Sequence, residues 1–170
     1  GEEISETLAL NGETPRHGDK AFRTVTQIDV PARVNAPAQQ VETATVSGTA
    51  TESADEEVTV TSKLFDGDVV IEVPIEDEDS ASAIATKIRE ALADNPTISE
   101  HFDVSGADTA VVLTAKVAAV NDDTLNIAIA GDVGGVDAAL TSTTTTPGVA
   151  PDVISVGWND KLGLPYKLPH

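Results

Sequence analysis

A central acidic segment divides this 170-residue chain into three parts. Residues 38–149 contain the turn, strand and helix patterns of a self-contained domain, whereas the flanks, residues 1–37 and 150–170, together contain only 58 residues. So short a sequence buries too little apolar surface for a comfortable core of its own. The junctions "NAPAQQ" and "TPGVAP" are rich in proline and small residues, as exposed loops that accept insertions are. We therefore predict a discontinuous β-rich base domain, residues 1–37 plus 150–170, with residues 38–149 inserted into it.

The charge of the chain is concentrated in the predicted insert. The net charge is −19, and residues 38–149 hold 21 acidic and 4 basic side chains, whereas the flanks hold 8 acidic and 6 basic ones. Because nucleic-acid binding requires lysine and arginine to neutralise phosphates, we expect no nucleic-acid partner. An apolar run of about 18 residues, which a membrane span needs, is lacking, so we expect no membrane partner. The pattern favours an insert that faces water and flanks that lie in a protein assembly.

The composition favours a mainly β fold of the α+β type. Valine and threonine occur 20 times each, and both are β-branched residues that suit strands. We predict an antiparallel β-sandwich or barrel-like base and a β-rich insert with one helix. The first flank is expected to form a hairpin, and the last flank a strand at residues 152–157. Within the insert, "FDGD" predicts a tight hairpin turn, and Pro74 indicates an edge position for its strand. Further strands are expected at residues 42–53, 56–64, 69–76, 108–116, 124–131 and 137–146.

One helix is predicted at about residues 80–93. Asp79 or Ser80 suits the N-cap, and Asn95-Pro96 suits the end of the helix. Four apolar side chains recur at helical spacing, which predicts packing against a sheet. They are Ile84, Ile88, Ala91 and Leu92. Lys87 and Arg89 are expected to be exposed, and "TISEHF" is expected to add a short turn after the helix.

No motif predicts catalysis, a cofactor or a metal. His17, His101 and His170 lack a metal-ligand spacing, and neither a serine-hydrolase elbow nor a phosphate-binding loop occurs. "GDVGG" is interpreted as a turn between strands. The acidic runs at residues 55–57, 76–79 and 122–123 leave calcium binding as an alternative, but none has the ligand order of an EF-hand loop. The prediction is therefore a non-enzymatic protein without a cofactor.

The last flank carries the predicted interface. Aromatic anchors are enriched at the centres of protein interfaces, and this flank has two in an otherwise small or aliphatic setting. The alternative for both aromatic residues is an ordinary intramolecular core contact. The predicted interface residues are Trp158, Leu162, Leu164, Tyr166 and Leu168.

Two stretches carry a resemblance to structural proteins of tailed-bacteriophage virions. The insert resembles a small module that recurs in such proteins, through "ATKIREAL" at residues 85–92, "VVLTAK" at 111–116 and "NDDTLNIAI" at 121–129. The flanks resemble a different phage pattern, "ISETLALNG" and "KAFRTVTQIDVPAR" joined to "ISVGWNDKLGLPYKLPH". In similar proteins a short loop joins those two pieces, and the chain continues past "KLGLPYKL". The resemblance thus implies a module inserted into that loop, within a longer protein.

The resemblance implies a viral structural protein located in the virion. We expect a head-decoration or capsid-auxiliary protein that forms homo-oligomers and docks on other virion proteins, either the major capsid protein or tail proteins. A tail tube or fibre component is one alternative. An extracellular bacterial adhesive or surface-layer module is another, since acidic sandwiches rich in threonine and valine suit that role.

Overall fold

The computed structural model describes residues 5–7, 36–138 and 141–151. The chain divides into two compact units, Gly1–Val34 and Asn35–His170, and nearly all described residues belong to the second. The predicted base, residues 1–37 plus 150–170, lies almost entirely outside the described residues, as do the predicted flank hairpin and the strand at 152–157. The discontinuous domain therefore stays a prediction.

The described residues confirm a mainly β fold with one long helix. Strand residues make up 38% of them and helical residues 17%, in two antiparallel sheets that do not close into a barrel. The elements in chain order are β1 (Val41–Thr45), β2 (Ala54–Thr61), β3 (Val69–Ile75), α1 (Ala81–Asp94), α2 (Pro96–His101), β4 (Phe102–Ser105), β5 (Ala110–Ala115), β6 (Asn126–Ile129) and β7 (Thr143–Thr146).

The larger sheet has two inner strands and the smaller sheet has one. The larger sheet has the order β4-β5-β1-β7, and the smaller one has the order β3-β2-β6. The β2–β3 pair is the predicted hairpin, and Gly67 of its connection has a φ of 109°, a conformation that favours glycine. Pro74 lies in β3, which is an edge strand, so the missing N–H removes no bond from the middle of the sheet.

Helix α1 begins and ends through polar caps. The Ser80 hydroxyl accepts a hydrogen bond from the Ala83 N–H at 3.3 Å. Asn95 ends α1 and begins α2, because its side-chain oxygen accepts from the N–H groups of Thr97 and Ile98 at 3.0 and 3.2 Å. Pro96 opens α2, where a missing N–H costs nothing.

The core lies between α1 and both sheets. Helix α1 contacts β3 of the smaller sheet and β5 of the larger one. Ile84, Ile88 and Leu92 are fully buried on its inner face, as the helical spacing predicts, together with Ala85. Ala91, also predicted for this stripe, is only partly buried. Burying the three large side chains contributes roughly 2 kcal/mol each, so the stripe accounts for much of the attachment of the helix.

The prediction of exposed cations on α1 is wrong. Lys87 and Arg89 are each half-buried. The Lys87 ammonium donates to the Asp79 carboxylate at 2.6 Å, and the Arg89 guanidinium donates to the Ala110 carbonyl oxygen at 2.6 Å. Both side chains therefore fasten the helix to its surroundings, which periodicity alone does not indicate.

Candidate functional site

The two ends of the predicted insert meet. The Ala38 N–H donates to the Val149 carbonyl oxygen at 3.0 Å, and the Val149 N–H donates back to the Ala38 carbonyl oxygen at 2.9 Å. These two residues form an antiparallel bridge outside the named strands. The chain thus enters and leaves the body formed by residues 38–149 at one place. We call this place the junction.

A loop before β6 holds both chain segments of the junction, which we call the entry strand (before β1) and the exit strand (after β7). The Gln40 side-chain amide donates to the Asp122 carbonyl oxygen at 3.0 Å, and the Asp122 N–H donates to the Gln40 side-chain oxygen at 2.7 Å. On the exit side, the Gly148 N–H donates to the Asn121 side-chain oxygen at 3.1 Å. A methyl group placed on Gly148 would lie 2.6 Å from the Ala119 carbonyl oxygen. The exit strand therefore packs tightly on this loop.

The Asp122 carboxylate joins the same loop to the end of β2. One oxygen accepts from the Thr124 N–H and hydroxyl at 2.9 and 2.6 Å. The other accepts from the Ser62 hydroxyl at 2.9 Å and the Lys63 N–H at 2.8 Å. Partial burial raises the pKa of this carboxyl, but the hydrogen bonds from Thr124, Lys63 and Ser62 outweigh it and lower the pKa to about 2.

A cleft lies beside the junction, with a volume of about 260 Å³. Gln40 of the entry strand and Ala119 of the loop against the exit strand both line it. Its floor is apolar, since Phe102 and Leu125 are buried there. We call it the junction cleft. Its lining residues are Gln40, Ser62, Lys63, Leu64, Glu100, His101, Phe102, Ala115, Lys116, Val117, Ala119, Asp122 and Leu125.

The rim of the junction cleft exposes unusual apolar surface. Four large hydrophobic side chains are exposed among the described residues. Leu64 and Val117 line the cleft and are 53% and 71% exposed, and Val120, 69% exposed, lies in the same loop as Val117. The fourth, Val70, lies on edge strand β3. Two exposed hydrophobic side chains at one concave apolar surface are typical of a contact site.

Aromatic and cationic side chains also gather at the junction cleft. The Phe65 ring lies 5.9 Å from both the His101 and the Phe102 rings, measured between centroids. Lys63 and Lys116 are two of the four basic residues of the insert. The Lys63 ammonium lies 3.4 Å from the Asp122 carboxylate, and its side chain is 60% exposed. The two lysines of the lining thus match its two acidic residues, Glu100 and Asp122, in number.

Most acidic residues of the insert face solvent. Sixteen of the 21 are exposed, and three more are half-buried. The remaining two, Glu42 and Glu56, are buried, with 2% and 0% exposure. Such a distribution suits a surface that stays hydrated and repels other acidic bodies.

The two buried carboxylates have structural partners. Glu56 accepts from the backbone N–H groups of Gly131, Asp132 and Val133, at 2.5, 3.3 and 3.2 Å. Glu42 accepts from the hydroxyls of Ser142 and Thr144, at 2.5 and 2.8 Å. Glu56 thus holds the turn at residues 131–133, and Glu42 holds the beginning of β7. These hydrogen bonds explain how an acidic residue can lie in this core without a side-chain cation.

The acidic runs do not come together as a metal site in the described part of the chain. No group of three or more histidine, aspartate or glutamate side chains is close enough there to hold an ion. The run at 76–79 is tied to α1, because Asp79 accepts from Lys87 and from the Glu76 N–H at 2.9 Å. These two bonds also lower the pKa of Asp79. "GDVGG" forms the turn that Glu56 binds.

The predicted interface residues all lie outside the described residues. These are Trp158, Leu162, Leu164, Tyr166 and Leu168. His17 and His170 lie outside them too, whereas His101 lies at the end of α2, against Phe65.

Sequence reasoning missed the junction cleft. The cleft combines residues from the connection after β2, from α2, β4 and β5, and from the loop before β6, and no local motif brings these together. One local signal exists, because "VAAV" at residues 117–120 places apolar side chains where a turn normally has polar ones.

Comparison with protein-family models gives no match, and neither does comparison with curated proteins. Within the part of the chain that the structure describes, no helix is long and apolar enough to cross a membrane.

Proposed function

We propose that this protein is a non-enzymatic structural protein of a tailed-phage virion, and specifically a capsid decoration or auxiliary protein. Residues 1–37 and 150–170 form a base that docks on other virion proteins and on further copies of the chain. Residues 38–149 form an acidic module that projects from this base. The role is mechanical, because a decoration protein stabilises a shell by adding interface between its subunits.

The antiparallel bridge between Ala38 and Val149 carries this proposal. A module inserted into a loop must begin and end at neighbouring points, and these two residues exchange both backbone hydrogen bonds. The resemblance to tailed-phage proteins independently implies an insertion between the same flanks. The exposed acidic side chains support an outward, hydrated position for the module.

The proposal assigns docking to the flanks, with the apolar residues after Gly157 at the contact. Those residues are Trp158, Leu162, Leu164, Tyr166 and Leu168. Two altered chains separate the flanks from the module. In one, a short Gly-Ser loop replaces residues 38–149, which the neighbouring ends allow; in the other, the chain stops after Val156.

The experiment incubates capsids that lack this protein with each chain and measures occupancy by electron microscopy. The loop-replaced chain is expected to attach as the full chain does, and the truncated chain is expected to stay free. Attachment of the truncated chain at full occupancy would refute the assignment of docking to the last flank. Attachment of the full chain to tails and not to heads would replace the decoration role by the tail role.

A further inference from the structure

We propose that the outer edge of β3 binds an extended, basic segment of another protein, which adds to the smaller sheet as a fourth strand. Strand addition to a sheet edge is a general mode of peptide recognition, in which the main chain gives affinity and the side chains give specificity. The inference does not depend on the virion assignment. It uses a surface that is separate from the flanks and from the junction cleft.

The main-chain groups of β3 alternate between β2 and the outer edge. The Ala130 N–H donates to the Glu57 carbonyl oxygen at 3.0 Å, so Glu57 points its main-chain groups toward β6. Because these groups alternate along a strand, Val58 points its own toward β3, where it lies opposite Ile71. Ile71 therefore faces β2, and the residues of β3 on either side of it point their main-chain groups away from β2.

The outer edge thus offers hydrogen-bonding groups at three positions, Val70, Glu72 and Pro74. The carbonyl oxygens of all three residues point outward, as do the N–H groups of the first two. No described residue hydrogen-bonds to these groups, and β3 ends the strand order of its sheet. Pro74 lacks an N–H and fits here because its position faces no neighbouring strand. An added strand can therefore exchange hydrogen bonds with Val70 and Glu72.

The charges along this edge favour a basic partner. Glu72 lies directly opposite Glu57 of β2, on the outer face of the smaller sheet. Like charges directly opposite each other destabilise a sheet. No cation of the described residues lies within 4 Å of either carboxylate. A lysine or arginine of the added strand, placed beside Glu72, supplies the cation that this pair lacks.

A groove on the other face of the same edge suits an apolar side chain. It lies between β3 and α1 and has a volume of about 420 Å³. Its cation, Lys87, already lies between two carboxylates, 2.6 Å from Asp79 and 3.9 Å from Glu76. Glu90, in contrast, has no described cation within 4 Å, which adds to the preference for a positive partner. The lining residues are Val73, Pro74, Glu76, Lys87, Glu90 and Ala91.

These two faces define the chemistry of the added strand. Side chains alternate along a strand, so one set lies beside Glu72 and the other set points into the groove. The first set is basic and the second is apolar. A second copy of the chain fits less well, because it brings another Glu72 and another body with 21 acidic and 4 basic side chains to the contact.

The first test measures the binding of a labelled seven-residue peptide of alternating lysine and valine, with blocked ends, to the full chain. Fluorescence anisotropy at about 0.15 M salt limits the attraction between distant charges. Val70→Pro removes an outward N–H without changing the charge, and should weaken binding about five- to tenfold. The matched control Val70→Thr keeps the N–H and the β-branched shape, and should stay within about twofold of the wild type. Far-UV circular dichroism checks the folding of both variants.

The second test alters the peptide and leaves the protein unchanged. The N–H groups of the lysines are the ones that face the carbonyl oxygens of Val70 and Glu72. N-methylation of the lysine main-chain nitrogens should therefore abolish binding, whereas N-methylation of the valines should leave most of it. Both methylated peptides keep every charge. Equal affinities for the two would assign the attraction to overall charge and overturn the proposal.

The third test separates the carboxylate at the edge from the general acidity of the chain. Glu72→Gln should weaken binding of the same peptide about threefold, whereas Glu100→Gln, the same change at an exposed position of α2, should not alter it. Equal losses for these two variants would contradict a contact at Glu72. A dimer of the full chain that Val70→Pro dissociates, measured by light scattering, would assign the edge to a second copy and overturn the basic partner.

Discussion

Ala38 and Val149 pair through two backbone hydrogen bonds, so residues 38–149 form a body whose two ends lie side by side. Because the two ends pair with each other, few contacts of this body depend on the rest of the chain.

We therefore predict that residues 36–151 fold when excised. Urea titration followed by far-UV circular dichroism should give one cooperative transition. A shorter piece, residues 46–151, provides the control, because it lacks β1, which pairs with both β5 and β7. This piece should show no cooperative transition. A broad, non-cooperative transition for residues 36–151 would contradict the prediction.

The second prediction concerns the inner face of α1. Ile88→Asp places a carboxylate in a fully buried position without a partner. The cost should exceed about 4 kcal/mol, enough to unfold a domain of marginal stability. Ser82→Asp makes the same change at an exposed position of the same helix, near its N-terminus, and should alter the free energy of unfolding by less than about 0.5 kcal/mol. Equal losses for the two variants, measured by urea denaturation, would contradict the assigned core face.

The third prediction concerns the buried carboxylate of Glu56. Glu56→Ala leaves three N–H groups of the turn at residues 131–133 without their acceptor, and should reduce the free energy of unfolding by about 3 kcal/mol. Glu56→Gln keeps one carbonyl oxygen and should lose less. Glu72→Ala is the control, since Glu72 is exposed on β3, and it should change the free energy by less than about 0.5 kcal/mol. Amide hydrogen exchange of residues 131–133 provides a local check.

Local signals in the sequence predict the elements that depend on neighbouring residues. Ser80 caps α1, Asn95 and Pro96 end it, and Gly67 shapes the hairpin, all through contacts within a few positions. The strand β4 is missed because its four residues follow α2 directly and have only Val104 and Phe102 as apolar members. Its pairing with β5 decides it, and that pairing is a tertiary contact.

Long-range partners also explain why the buried acidic residues and the junction are not predictable. Glu42 and Glu56 resemble other acidic residues of a very acidic sequence. Their burial depends on the distant N–H groups of residues 131–133 and on the hydroxyls of Ser142 and Thr144. The composition of "NAPAQQ" and "TPGVAP" does indicate loops at the two ends of the insert. The pairing of Ala38 with Val149, however, depends on how the intervening residues fold.

The last prediction concerns acid stability and Asp122. The pKa of this carboxyl is about 2 in the folded chain, against an ordinary value of 3.8. Because the folded-state pKa is lowered, Asp122 adds stability at every pH above 3.8, and this contribution disappears as the pH falls from about 5 to about 2. The side chain is 14% exposed, and we expect the contribution to be about 1–2 kcal/mol after solvent screening.

Asp122→Asn should therefore destabilise the chain at pH 7 and flatten its stability profile below pH 5. The control Asp66→Asn, at an exposed position of the hairpin turn, should keep the wild-type profile. Urea midpoints measured from pH 7 to pH 2 test this prediction. Parallel profiles for the wild type and Asp122→Asn would show that the carboxylate does not hold the loop before β6.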